Sequence, residues 1–129
     1  MQPNAPVPSL NGKITPMTSP FPTYTVPEDP DLGDWGPVAE AVGEPMRERA
    51  LTLWSDGDQE AGLWDCTAGT AYYVQEQHEV VQILSGRVTV TPDGGAPSVL
   101  EPGDAAVFPR GWAGTWEISQ ELRKLYVVF

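Results

Sequence analysis

From residue 50 to residue 129 the chain is cut into short apolar runs of alternating character by Gly, Pro and Asp clusters, and none reads as a helix of several turns. A period near two sends successive side chains to opposite faces of a strand, so these runs read as antiparallel strands. The expected strands cover 51–54, 62–67, 72–75, 80–84, 87–91, 98–100, 105–108, 114–118 and 124–129, with a hairpin turn at Asp93-Gly94-Gly95. So many short strands in 129 residues predict a single all-β barrel or sandwich.

The first part of the chain departs from this pattern. Ten of the 14 prolines lie within residues 1–45, where fixed φ and missing N–H donors disfavour both regular strands and a long helix. Residues 1–49 therefore read as a Pro-rich extended arm, with one or two short helical turns expected over 37–50, and residues 50–129 as the barrel. Phe21, Tyr24, Val26, Leu32 and Trp35 give the arm apolar anchors that could pack along the domain or onto a neighbouring subunit. The seven carboxylates between Glu28 and Glu48 read as solvated surface.

Seven Lys and Arg against 18 Asp and Glu leave a formal charge of −11, which repels phosphate backbones and anionic lipid headgroups. Neither nucleic acid nor a membrane is expected as a partner. Cys66 is the only cysteine, which excludes an intrachain disulfide and a Cys-rich zinc site and suits a reducing compartment. No stretch approaches the roughly 20 apolar residues of a membrane helix, and the N-terminus lacks the basic start and apolar core of a signal peptide. A cytoplasmic location is the expectation. No P-loop, dinucleotide fingerprint or internal repeat is present.

Two motifs stand in the barrel region. Glu79-Val-Val-Gln-Ile-Leu-Ser-Gly86 has a glutamate followed by a glycine after six residues, and Gly103-Asp-Ala-Ala-Val-Phe-Pro109-Arg-Gly111 follows it. Their glycines mark sharp turns and Pro109 stiffens the rim before the next strand. Here the sequence resembles the cupin superfamily, whose two motifs have these spacings. Gly114-Thr-Trp116-Glu-Ile and Arg123-Lys124-Leu-Tyr126-Val look like the small single-domain group of ethanolamine-utilisation and ureidoglycine aminohydrolase-like proteins. The resemblance covers about residues 50–129 and implies a small antiparallel cupin barrel, a double-stranded β-helix or jelly roll, that pairs as a homodimer.

The resemblance also implies a divalent metal held by a His-x-His pair, the motif glutamate and a third histidine. In this chain the pair falls on Tyr72 and Val74 or on Tyr73 and Gln75, and the third position is Gly114. Only Glu79 remains of that set. His78, the single histidine, neighbours Glu79 and so faces the opposite side of the strand. No metal and no cofactor is expected, since one carboxylate is too sparse a donor set for a transition metal.

Strand alternation then defines the expected pocket. Val81 and Ile83 share a face with Glu79; Trp116 and Ile118 share one with Gly114; Trp64 and Cys66 share another. Gln75 lies near Glu79 in sequence, Tyr126 is a weaker candidate, and Trp112 sits with Arg110 on the rim. Such a pocket suits a small organic metabolite with an apolar body and one or two polar atoms. Glu79, desolvated among apolar groups, is the expected general acid or base, and Tyr72 or Tyr73 the donor to a developing oxyanion. Glu79 could alternatively serve only to hold barrel backbone or Arg87. The expected activity is metal-independent acid–base chemistry of an isomerase, lyase, hydrolase or cyclase type. A non-catalytic ligand-binding cupin and a metal-dependent cupin with atypical ligands are the alternatives.

Overall fold

Two long bent strands organise the molecule. The computed structural model describes residues 14–17 and 21–129. Its strands are β1 (Thr15–Pro16), β2 (Tyr24–Thr25), β3 (Gly36–Pro37), β4 (Arg47–Asp56), β5 (Gln59–Cys66), β6 (Gly69–Val74), β7 (Glu79–Pro92), β8 (Ser98–Leu100), β9 (Ala105–Phe108) and β10 (Ala113–Val128). Every pairing is antiparallel. β10 pairs with β7 from Gly114↔Pro92 to Val128↔Glu79. The first half of β10 also pairs with β6 and its second half with β5, while β7 pairs with β9 through its first half and with β8 through its second. The two long strands thus pass from one sheet to the other and close a jelly-roll barrel.

The strands expected at 80–84 and 87–91 are one strand, β7, and those at 114–118 and 124–129 are one strand, β10. Both bend at the same level. Gly86, at φ +90°, takes the left-handed conformation that lets β7 turn without ending, and a Cβ there would lie 2.1 Å from the Glu121 carbonyl oxygen. Opposite it, the register of β10 slips between Ile118 and Lys124. The bend shifts the phase of the alternation, which in sequence alone looks like a strand end.

No helix occurs among the described residues, so the helical turns expected over 37–50 are absent and no helix there is long and apolar enough to cross a membrane. Pro37 and Pro45 have no N–H to give, and between them only one turn bond forms, from the Ala41 N–H to the Val38 carbonyl at 3.3 Å, while the Val38 N–H goes to the Met46 carbonyl at 3.1 Å and the Val42 N–H to Thr70 at 2.8 Å. Residues 1–13 and 18–20 of the expected arm lie outside the described residues. Residues 24–35 of the arm pack on the outer face of the sheet, whereas Val38 and Met46 enter the barrel core and β4 already begins at Arg47. Leu32 is buried, Trp35 stacks on the Arg49 guanidinium at 4.5 Å, and the Tyr24 hydroxyl donates to the Leu53 carbonyl at 2.5 Å, whereas Phe21 and Val26 remain exposed. On that outer face Asp65 is fully buried, held by Arg49 Nε at 2.9 Å and Arg123 Nε at 2.8 Å.

The opposite faces build the core. Register places Trp64 beside Lys124, Cys66 beside Leu122, Lys124 beside Ile83 and Tyr126 beside Val81, all directed inward. Trp116, Val88, Val90, Ile118 and Phe108 close the interior.

Candidate functional site

A cavity of about 240 Å³ opens into the barrel, lined by Glu40, Glu48, Trp64, Tyr73, Gln75, Glu79, Trp116, Lys124, Tyr126 and Val128. In its lining the Lys124 ammonium donates to Glu79 Oε2 at 2.9 Å, and Gln75 Nε2 donates to Glu79 Oε1 at 3.2 Å. The ammonium also lies 4.3 Å from the Trp64 ring centroid and 4.6 Å from that of Trp116. Both partners of the pair are buried, so the two charges face each other with little water between them. Glu79 is therefore an ion-paired carboxylate and not, as its sequence neighbours imply, a charge set among apolar groups alone. Arg87 plays no part here, since it pairs with Glu101 at 2.7 Å on the surface.

Tyr73 lines the cavity with its ring edge-on to Trp116 at 5.4 Å, and its buried hydroxyl has no hydrogen-bond partner. Burial above all, and then the neighbouring Cys66, Glu48, Glu40 and Glu79, push its phenol well above the usual tyrosine range. Tyr72 points outward, half exposed, and donates to Asp93. Strand alternation at adjacent residues requires that only one of the two face inward. Tyr126 lines the cavity, but its hydroxyl is committed to Glu60; burial and that bond raise its pKa.

The remaining expected residues divide by depth. Trp64, Gln75 and Trp116 line the cavity. Cys66, Val81, Ile83 and Ile118 face inward yet lie in the packed core and do not line it. Burial, followed by Glu48, pushes the Cys66 thiol up to about 12. Trp112 stands on Phe108 at 4.9 Å and lines a separate cavity of about 220 Å³ with Val90, Leu100 and Ala106. His78 is outside both cavities: its ring lies 5.3 Å from that of Phe129, and its Nδ1 accepts the Arg110 backbone N–H at 2.9 Å.

Four lining residues were not anticipated: Lys124, Glu40, Glu48 and Val128. A signal for Lys124 exists, because it stands two residues before Tyr126 on the same strand and so shares its face. Glu40 and Glu48 belong to the acidic run read as solvated; Glu40 is indeed exposed, whereas Glu48 is half-buried. Glu48 is carried inward by the pairing of β4 with β5, where it lies beside Cys66, and it accepts the Trp64 indole N–H at 2.8 Å. Glu40 is brought over the cavity by its backbone, whose carbonyl accepts the Tyr72 N–H at 3.1 Å.

The residues present do not fit a divalent metal. The cavity-facing pair at the expected histidine positions is Tyr73 and Gln75, and Glu79 is already occupied by a cation, the Lys124 ammonium. At Gly114 an added Cβ would lie 2.3 Å from the Thr91 carbonyl oxygen and 2.7 Å from the Trp112 ring, so a histidine there has no room. Among the described residues no three His, Cys, Asp or Glu side chains come together to hold an ion.

A small jelly-roll barrel with its cavity among the motif residues Glu79, Trp116 and Lys124 defines a cupin. More narrowly, the chain belongs to the family of the EutQ-like cupin domain, whose family model matches residues 54–126. A Salmonella typhimurium structure described as a candidate ethanolamine utilization protein Q is similar over 100% of this chain and 96% of its own, at 18% identity and a TM-score of 0.65. The EutQ protein of Clostridium difficile aligns over 65% of this chain and 68% of its own, with 15% identity and a TM-score of 0.58. A Thermotoga maritima protein of the DUF861 family is 31% identical over 52% of this chain and 76% of its own, with a TM-score of 0.51. No curated protein matches the chain.

Proposed function

We propose that the cavity is the active site of an enzyme that acts on a small organic metabolite by acid–base chemistry, with the chain's own side chains in place of a metal. The observation that carries this reading is the Lys124–Glu79 pair, 2.9 Å apart inside an aromatic cavity. A carboxylate can take a proton from the substrate, an ammonium can give one to an oxygen that gains negative charge, and transfer between the two restores both. Gln75 holds the carboxylate in place and Tyr73 keeps a hydroxyl free to steady the oxyanion. Such a proton cycle serves isomerisation, elimination, hydrolysis or cyclisation and needs no redox partner.

The test is turnover. Purified protein is incubated with a metabolite extract and depleted compounds are identified by mass spectrometry. Glu79→Gln and Lys124→Met should each slow conversion of the identified compound by about a hundredfold or more, with no effect of a chelator. Undiminished turnover in both variants, or loss of turnover on chelation, overturns the reading. A compound bound but not converted makes the protein a ligand-binding cupin instead.

The same reading includes an arm at 1–49 ahead of a barrel at 50–129, a cytoplasmic location and a homodimer, without nucleic-acid or membrane partners. Supporting the homodimer, Val107, Val80 and Val127 neighbour one another across β9, β7 and β10 and are exposed on the outer face. Light scattering at micromolar concentration should give twice the chain mass; the mass of a single chain overturns the homodimer.

A further inference from the structure

The cavity holds more negative charge than its lysine matches. Lys124 is paired with Glu79, and the second Glu79 oxygen takes the Gln75 amide. Glu40 and Glu48 line the same space, and among the described residues no cation pairs with either. Glu48 gives one oxygen to the Trp64 indole N–H and keeps the other. Two donors are also unused. The Trp116 indole N–H, in a cavity-lining residue only 1% exposed, has no partner, and neither has the buried hydroxyl of Tyr73, whose ring packs edge-on to Trp116. Buried donors are nearly always bonded, so these two lack what a bound molecule would supply.

Resting on the active-site reading above, we propose that the natural ligand is a small protonated amine that also carries a carbonyl oxygen. The ammonium group answers the half-buried Glu48, which no cation matches, with the exposed Glu40 adding a weaker, water-screened attraction, and gains from the aromatic walls. The carbonyl oxygen, with two lone pairs, accepts from Trp116 and Tyr73 together. An anion would meet the unmatched Glu48, and a neutral molecule would leave it unanswered. The cavity, at about 240 Å³, lies below the ~300 to 1,000 Å³ usual for larger ligands and restricts the compound to a few heavy atoms beyond these two groups.

Titration calorimetry at neutral pH with four probes of nearly equal size tests this. Alaninamide carries both groups; lactamide replaces the ammonium by a hydroxyl; sec-butylamine lacks the carbonyl; lactate is anionic. Alaninamide should bind at least about tenfold more tightly than lactamide and sec-butylamine, and lactate should not bind. Glu48→Gln should weaken alaninamide without weakening lactamide, the exposed Glu40→Gln should do so less, and Trp116→Phe should remove the advantage over sec-butylamine. Equal or tighter binding of lactamide or lactate overturns the proposal, as does failure of all four to bind at millimolar concentration. The affinity order does not depend on turnover. Preference for alaninamide in a protein that converts nothing would end the enzymatic reading and leave the ligand class standing, while turnover of an anionic compound would do the reverse.

Discussion

Lys124 and Glu79 form a buried pair in which the ammonium lies over the rings of two mutually perpendicular indoles, Trp64 and Trp116, as well as bonding the carboxylate. Removing one partner leaves the other as an uncompensated buried charge, which costs about 3 to 5 kcal/mol. Lys124→Met and Glu79→Gln should each lower stability strongly. The double variant should recover most of the combined loss, because both charges are then gone. Urea denaturation of all four proteins gives the coupling, and additive single losses would show that the pair does not act as a unit.

Asp65 is the second buried charge, held on the outer face by Arg49 and Arg123. Asp65→Asn keeps the volume but leaves two guanidinium groups facing each other, and should cost about 3 kcal/mol or more. Arg49 and Arg123 also reach the arm residues Asp31 and Asp29, at 3.9 Å and 3.5 Å. The variant should therefore release the arm to limited proteolysis before the barrel unfolds; an arm as resistant as in the parent would refute the link.

The thiol of Cys66 predicts a fall of stability in alkali. Unfolded, it ionises near 9.0; folded, burial holds it to about 12. Across that window the native state keeps a proton that the unfolded chain has lost, so stability decreases as pH rises. Tyr73 and Tyr126, both raised by burial, act in the same direction at higher pH. Cys66→Ala should flatten the slope of unfolding free energy against pH above 9.0, and an unchanged slope would sink the assignment.

Two glycines separate backbone conformation from crowding. Gly86 and Gly94 both have positive φ, +90° and +71°, but a Cβ at Gly86 would lie 2.1 Å from the Glu121 carbonyl oxygen whereas Gly94 faces open space. Gly94→Ala should cost roughly 1 kcal/mol, from conformation alone. Gly86→Ala should cost several times as much, since β7 and β10 must separate at their common bend. Equal midpoints in chemical denaturation would contradict the close approach of the two strands.

Much of the barrel is legible in the sequence because strand periodicity is a local property. Alternation alone directs Glu79, Val81 and Ile83 inward, and the turn glycines of the two motifs mark where strands change direction. The two long strands were not legible as single strands, since a bend at Gly86 and a register slip in β10 interrupt the period without breaking the strand. The expectation over 37–50 gives way for a different reason: helix propensity there is weak, a single turn bond forms at Ala41, and the rest of the segment pairs as strand with β5 or bonds Thr70.

The cavity divides the same way. The residue order already shows that no histidine stands at the histidine positions, that Glu79 remains, and that aromatic residues are near it. Tertiary structure alone decided which of those residues reach the cavity and which stay in the core. It also decided the charge of the site, because a lysine forty-five residues from Glu79 and two glutamates of the N-terminal region meet there. Pairing partners and side-chain depth depend on contacts between segments far apart in the chain, and no local pattern encodes them.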